Sequence, residues 1–166
     1  MILWLAACGD APNDETSQPM LVGDLAGRYA GPDEDTGKDR FCMRIDPSGD
    51  VLFGVATIDP DGRACAGIGD ATFNGEFVDL SMAGEEECEI RATLQGPRIV
   101  LPGAVPEGCA YYCSPDATLA DKVFTKTGDG AKAARNTEDF VGDALCSDVW
   151  NAPEVRPIDR SSSARD

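Results

Sequence analysis

The chain has 166 residues, 42% of them apolar, with 18 Gly and 11 Pro, a composition that favours one domain of short strands and turns over long helices. Asp and Glu outnumber Lys and Arg by 30 to 14, and the net charge of -16 repels phosphate backbones, so nucleic acid is excluded as a partner while a cationic protein is not. Histidine is absent, which removes Ser-His-Asp and Cys-His nucleophiles, His-bearing zinc sites and haem ligation through imidazole.

Residues 1–7 read M-I-L-W-L-A-A, an apolar run that ends in small residues directly before Cys8. The string Leu5-Ala6-Ala7-Cys8 resembles a lipobox, the processing signal of bacterial lipoproteins. That resemblance implies a diacylglyceryl group on the Cys8 thiol, cleavage just before it, and attachment to a membrane through lipid. With Gly9 and no Asp next to the cysteine, it further implies the outer membrane, facing the periplasm. An export signal needs a basic leading region and a longer apolar core, so 1–7 is read as a truncated signal-like segment whose true start lies upstream. Residues 8–20 are polar and proline-containing and are read as a lipidated, disordered tether. Elsewhere no apolar run approaches the roughly 20 residues a membrane-spanning helix requires.

Setting Cys8 aside, Cys42, Cys65, Cys88, Cys109, Cys113 and Cys146 remain, an even set suited to three disulfides in an oxidising compartment. Metal binding fits less well, because the cysteines form no pair of C-x-x-C knuckles. Pairing neighbours in order gives Cys42 with Cys65, Cys88 with Cys109 and Cys113 with Cys146, one of the fifteen full pairings six cysteines allow.

The domain is expected over 21–150. Residues 21–29 read as a first strand, in which Leu25, Gly27 and Tyr29 form an L-x-G-x-Y pattern that resembles, at those three positions, the Gly-x-aromatic step that opens lipocalin-like barrels. Segment 31–40 is a polar loop whose Asp33, Asp35 and Asp39 lack the glycine and terminal glutamate of an EF-hand calcium loop. From Phe41 apolar and polar residues alternate. Hairpins are expected from 41–45 with 51–58 across D-P-S-G-D, from 64–73 with 76–82 across Asn74-Gly75, and from 88–94 with 98–101 across Gln95-Gly96-Pro97. Asp59-Pro60-Asp61-Gly62 reads as the turn between the first two hairpins, and Gly67-Ile68-Gly69 as a turn or bulge. Ser114-Pro115-Asp116 is expected to cap a short helical turn through Asp121. A last strand over 123–127 precedes a helix over 131–145, with Phe140, Val141 and Leu145 as its apolar side, pinned by Cys146. Residues 151–166 read as a disordered tail. The fold class is therefore mainly β: a small antiparallel meander closing into a barrel or a sandwich, stapled by disulfides, with a short C-terminal helix.

Motifs for a reaction fail against their neighbours. Lys126-Thr127-Gly128 matches the K-T-G of penicillin-recognising enzymes, yet the serines here lack the lysine three places on that those enzymes need. Glu85-Glu86-Glu87 reads as a solvated loop and not as a glycosidase carboxylate pair. Cys109-Ala-Tyr-Tyr-Cys113 has one residue too many for a thioredoxin-like pair, while its Tyr111 and Tyr112 offer a contact patch or a half-buried clamp. The expectation is a non-enzymatic envelope lipoprotein with a binding or structural role and with neither cofactor nor metal. Alternatives are an inhibitor of a cationic periplasmic enzyme such as lysozyme, a carrier of a small apolar ligand in a barrel cavity, and a hydrolase built on carboxylates alone.

Overall fold

The computed structural model describes residues 22–32, 38–84 and 87–147. The tether, Cys8, Asp33, Asp35, Glu85, Glu86 and the C-terminal tail lie outside the described residues.

Three five-residue segments fold by the same local chemistry: 46–50 (D-P-S-G-D), 59–63 (D-P-D-G-R) and 139–143 (D-F-V-G-D). In each, Oδ1 of the leading aspartate accepts from the backbone N–H groups two and four residues on. The distances are 2.8 and 3.0 Å at Asp46, 3.0 and 2.9 Å at Asp59, and 2.8 and 2.9 Å at Asp139. The fourth residue, Gly49, Gly62 or Gly142, sits at φ 97, 82 or 95°, where a Cβ is costly. The leading N–H then donates to the fifth residue's carbonyl at 2.9, 2.9 and 2.8 Å, which sends the chain back antiparallel.

The first of these turns joins β2 (Arg40–Ile45) to β3 (Val51–Ile58), and the second joins β3 to β4 (Ala64–Asn74). Gly75, at φ 63°, turns β4 into β5 (Phe77–Met82), and Gly96, at φ 58°, turns β6 (Glu89–Gln95) into β7 (Arg98–Val100). β8 (Val123–Asp129) then pairs with β1 (Gly27–Ala30), which also pairs with β2, so among the described residues eight antiparallel strands form a closed barrel in sequence order. The sheet thus leaves no unpaired edge for another chain to extend.

Alternation decides the interior. Register places Phe41 beside Val55 and Met43 beside Phe53 on the inner face. Tyr29, Val78, Leu80, Ile90, Ala92, Ile99 and Phe124 join them, all between 0 and 2% exposed. Opposite Phe53 and Val55 the wall carries Gly69 and Gly67, where a Cβ would meet the Ser81 carbonyl oxygen and the Met82 sulfur. Phe41 lies at the centre, 5.8 Å from Phe53, 5.3 Å from Phe124 and 5.7 Å from Tyr29, centroid to centroid. Burying each such ring stabilises the fold by about 2–3 kcal/mol.

A second cluster lies outside the wall. After α2 (Gly130–Arg135), residues 136–147 run over β2 and β3, where Cys42, Ala134, Cys146 and Leu145 pack together. At Gly54 the strand lies so close to this segment that a Cβ would be 2.7 Å from the Leu145 carbonyl oxygen.

Several sequence expectations are corrected. The helix expected over 131–145 ends at Arg135, because Gly142 takes a left-handed conformation and Asp139 caps a turn, so a hairpin bridged at Glu138 and Ala144 replaces its second half. Residues 114–121 form turns with Asp116 and Asp121 at φ 63 and 59°, and the helical turn of this region lies upstream, a 3-10 turn over Glu107–Tyr112. Val22–Leu25 is a short helix, α1, so the first strand is only Gly27–Ala30. Gly67-Ile68-Gly69 lies inside β4, since only glycine tolerates the approach of Ser81: a Cβ at Gly69 would sit 1.9 Å from its carbonyl oxygen.

The disulfides are Cys88–Cys109, as expected, together with Cys42–Cys146 and Cys65–Cys113, in place of Cys42–Cys65 and Cys113–Cys146. The reason is the meander itself. β3 lies between β2 and β4, and Cys42 belongs to the outer cluster while Cys65 belongs to the barrel core.

Candidate functional site

The two ends of the barrel differ. At one end the connections are the tight turns at 46–50, 75–76 and 96–97, with α1 beside them. At the other end lie the turn at 59–63 and three longer connections, and the longest of these, 101–122, is cross-linked into a lid. Its two ends meet where the Leu101 N–H donates to the Lys122 carbonyl at 2.8 Å and the Asp121 N–H to the Pro102 carbonyl at 2.9 Å. Cys88–Cys109 and Cys65–Cys113 fix its middle, one to the connection before β6 and one to β4.

Between those two disulfides runs the 3-10 turn with Tyr111 and Tyr112. Gly108 abuts the β5–β6 connection so closely that a Cβ there would be 2.1 Å from the Glu87 carbonyl oxygen. After the turn, the Ser114 N–H donates to the Ala64 carbonyl at 2.8 Å, and Ser114 Oγ accepts from the Ala64 N–H at 2.9 Å. Backbone tied at this many points loses little further freedom when a partner binds.

The two tyrosines differ in exposure. Tyr112 is half-buried, packs on the barrel core and passes its hydroxyl beside Gly84. Tyr111 is 64% exposed, its ring 5.2 Å from that of Tyr112 and nearly perpendicular to it. A tyrosine held upright by a second ring presents a rigid face with little conformational entropy to lose. The exposed residues of the lid and its neighbouring connections include the carboxylates of Glu87, Glu107, Asp61 and Asp116. An aromatic face among carboxylates attracts lysine and arginine side chains.

The other sequence-singled residues have structural duties. Asp39 ties three segments of the lid end: its Oδ1 accepts from the Ile58 N–H at 2.9 Å and its Oδ2 from Lys122 Nζ at 3.0 Å. Lys126, in the K-T-G string, lies on β8, donates to the Asp24 carbonyl, and pairs with Asp129 at 2.8 Å while standing 6.0 Å over the Tyr29 ring. Glu87 is an exposed loop residue. Among the described residues no three His, Cys, Asp or Glu side chains cluster as metal ligands do.

The shifted carboxylates are turn and ion-pair groups. Asp79 is held below the ordinary carboxylate range by the Arg91 guanidinium, which donates to it at 2.7 and 3.0 Å. At Asp46 and Asp59 partial desolvation pushes upward, and the hydrogen bonds of their turns, with Arg63 helping at Asp59, outweigh it and lower both. Tyr29 is pushed well above its ordinary value, first by burial and then by the negative charge of Asp129.

Phe140 and Val141, expected on the buried side of a helix, are instead 40% and 72% exposed at the tip of the third aspartate turn. The letters D-x-x-G-x, shared with the two turns legible by eye, were the signal for this. Together these features define, among the described residues, a closed, disulfide-clamped up-and-down barrel with an exposed tyrosine at its lid. No family model, no curated protein and no solved structure matches the chain.

Proposed function

We propose that the protein is a non-enzymatic lipoprotein of the bacterial envelope, held through Cys8 on the periplasmic face of the outer membrane, whose barrel binds a cationic protein through its lid. The anchor rests on Leu5-Ala6-Ala7-Cys8 and the polar tether behind it. The binding role rests on one observation: Tyr111 is 64% exposed while the backbone on either side of it is fastened by a disulfide. Aromatic rings left in water on rigid mounts characterise contact surfaces. The net charge of -16 selects a cationic partner, both by attraction and by speeding encounter.

Inhibition of a cationic envelope-directed enzyme such as lysozyme is the sharpest form of this reading, and the acidic surface favours it. The carrier reading has little support, because a cavity fit for a ligand would leave its lining side chains accessible, whereas Phe41, Phe53 and Phe124 are 0–1% exposed. Two measurements test the proposal. Mass spectrometry of the protein from its native envelope is expected to find acylated Cys8 as the first residue. Calorimetry with lysozyme as the cationic probe is expected to find salt-sensitive binding that Tyr111→Ala weakens about tenfold. A free Cys8 thiol would remove the anchor, and absence of binding at low salt would remove the cationic partner.

A further inference from the structure

The three aspartate turns are an internal experiment. They share the capping carboxylate, both hydrogen bonds to it, the left-handed glycine and the closing ladder bond. At the two tip positions, however, the first carries Pro47-Ser48, the second Pro60-Asp61 and the third Phe140-Val141. The turn is therefore built without apolar tips in two cases of three, and the backbone has no need of Phe or Val there. Val141 gains little from folding, being 72% exposed, and Phe140 keeps 40% of its surface in water. Val141 is the most exposed of the large apolar side chains among the described residues.

We infer that this tip is a preformed docking knob, which inserts Phe140 and Val141 into an apolar pocket with a cationic rim on a protein partner. The inference rests on the reading of that partner as a cationic protein. Its base is rigid: Cys146 is bonded to Cys42 on the barrel wall, the Leu145 N–H donates to the Thr137 carbonyl at 2.9 Å, and Thr137 is buried. A loop held in its bound shape binds more tightly because less motion is lost.

Charge chooses the occupant. Exposed Glu138 and Asp143 flank the apolar pair, with the half-buried Asp139 beneath them. This acidic collar repels anionic lipid headgroups, and a second copy of a chain carrying -16 is repelled in the same way. A pocket rimmed by Lys or Arg satisfies both the apolar tip and its collar.

The experiment uses the full chain in three forms: wild type, Tyr111→Ala, and the double variant Phe140→Pro with Val141→Ser, which copies the tip of the first turn. The probe is lysozyme, a cationic enzyme with an open substrate cleft. Vesicles of phosphatidylethanolamine and phosphatidylglycerol, together with sedimentation of the protein alone, cover the other occupants. The expected result is a double variant that keeps its disulfides and a cooperative melting transition and binds lysozyme about tenfold or more weakly, as loss of an apolar anchor predicts. Affinity within about twofold of wild type overturns the knob, and if Tyr111→Ala still weakens binding the lid reading survives alone. Absence of wild-type binding overturns both readings. A defect confined to vesicle retention or to self-association assigns the tip to a membrane or to a second copy and also overturns the inference.

Discussion

Cys42 and Cys146 are 104 residues apart in the chain and joined on the outside of the barrel wall. Cys42 is an outward residue of β2, and the segment carrying Cys146 lies against β2 and β3 through Leu145. This bond closes the largest loop of the three, and in the chain-entropy account its restriction of the unfolded state is worth about 4–5 kcal/mol. Replacing both cysteines by alanine is expected to lower unfolding free energy by up to that amount, measured in urea. Peptide mapping without reductant is expected to recover the Cys42 peptide attached to the Cys146 peptide. Recovery of Cys42 with Cys65 would mean the meander is wrongly registered.

Gly69 tests the same wall from another side. A Cβ there would fall 1.9 Å from the Ser81 carbonyl oxygen, and that oxygen is backbone, so β4 and β5 must part to admit it. Gly69→Ala is expected to cost about 3 kcal/mol or more, in the range of strain at an over-packed site. Gly49→Ala is the comparison: nothing lies within 4 Å of its Cβ position, and the cost is only that of φ 97°, about 1 kcal/mol. Equal losses in the two variants would show that β4 and β5 are not so closely packed at this point.

Much of the barrel was readable because its evidence is local. Phe41, Met43, Phe53, Val55, Val78 and Leu80 alternate with outward residues, and the connecting turns are spelled in Asp, Pro, Asn and Gly. Closure of β8 on β1 is a pairing of residues about 100 positions apart, such as Tyr29 with Lys126, and nothing local announces it. The disulfides depend on which face of a strand each sulfur occupies and on which strands are neighbours, so only Cys88–Cys109, spanning the shortest interval, follows from chain order. Tyr111 and Tyr112 are adjacent and chemically identical, and only the 3-10 backbone between two disulfides sends one into solvent and the other onto the core. The third aspartate turn was written as plainly as the first two. It was hidden behind Ala131, Lys132, Ala133, Ala134 and Arg135, a run of helix formers whose helix stops at Arg135.

The Tyr29 hydroxyl donates to the Leu25 carbonyl at 2.6 Å inside the end of the barrel next to α1. Burial, reinforced by Asp129, disfavours its phenolate, so its folded-state pKa lies above the unfolded value. A raised value contributes stability that is fully present below the unfolded tyrosine pKa of about 10 and is lost as pH climbs past it. Unfolding free energy of the wild type is therefore expected to fall as pH rises above about 10, and Tyr29→Phe is expected to be flatter over that range. At neutral pH the same substitution is expected to cost about 1 kcal/mol for the hydrogen bond. Parallel curves for the two proteins would show that Tyr29 titrates in the fold as it does in the unfolded chain.

At the acid end the signs reverse. Asp46 and Asp59 are half-buried, and in the folded chain both carboxyls lie below their ordinary value. Partial desolvation raises each, but the backbone N–H groups of Ser48 and Asp50 at one turn, and of Asp61 and Arg63 at the other, donate only to the ionised form with full strength. Lowered values contribute stability that is present above the unfolded aspartate pKa and lost as pH falls through the folded one. Carboxyl chemical shifts followed by NMR are expected to place both groups below the ordinary aspartate value. Asp59→Asn keeps an oxygen at the cap but removes the charge that Arg63 meets at 2.7 Å, so its stability is expected to vary less than that of the wild type as pH falls below about 4. If wild type and variant lose stability in step over that range, the charge of the Asp59 carboxylate does not hold the turn.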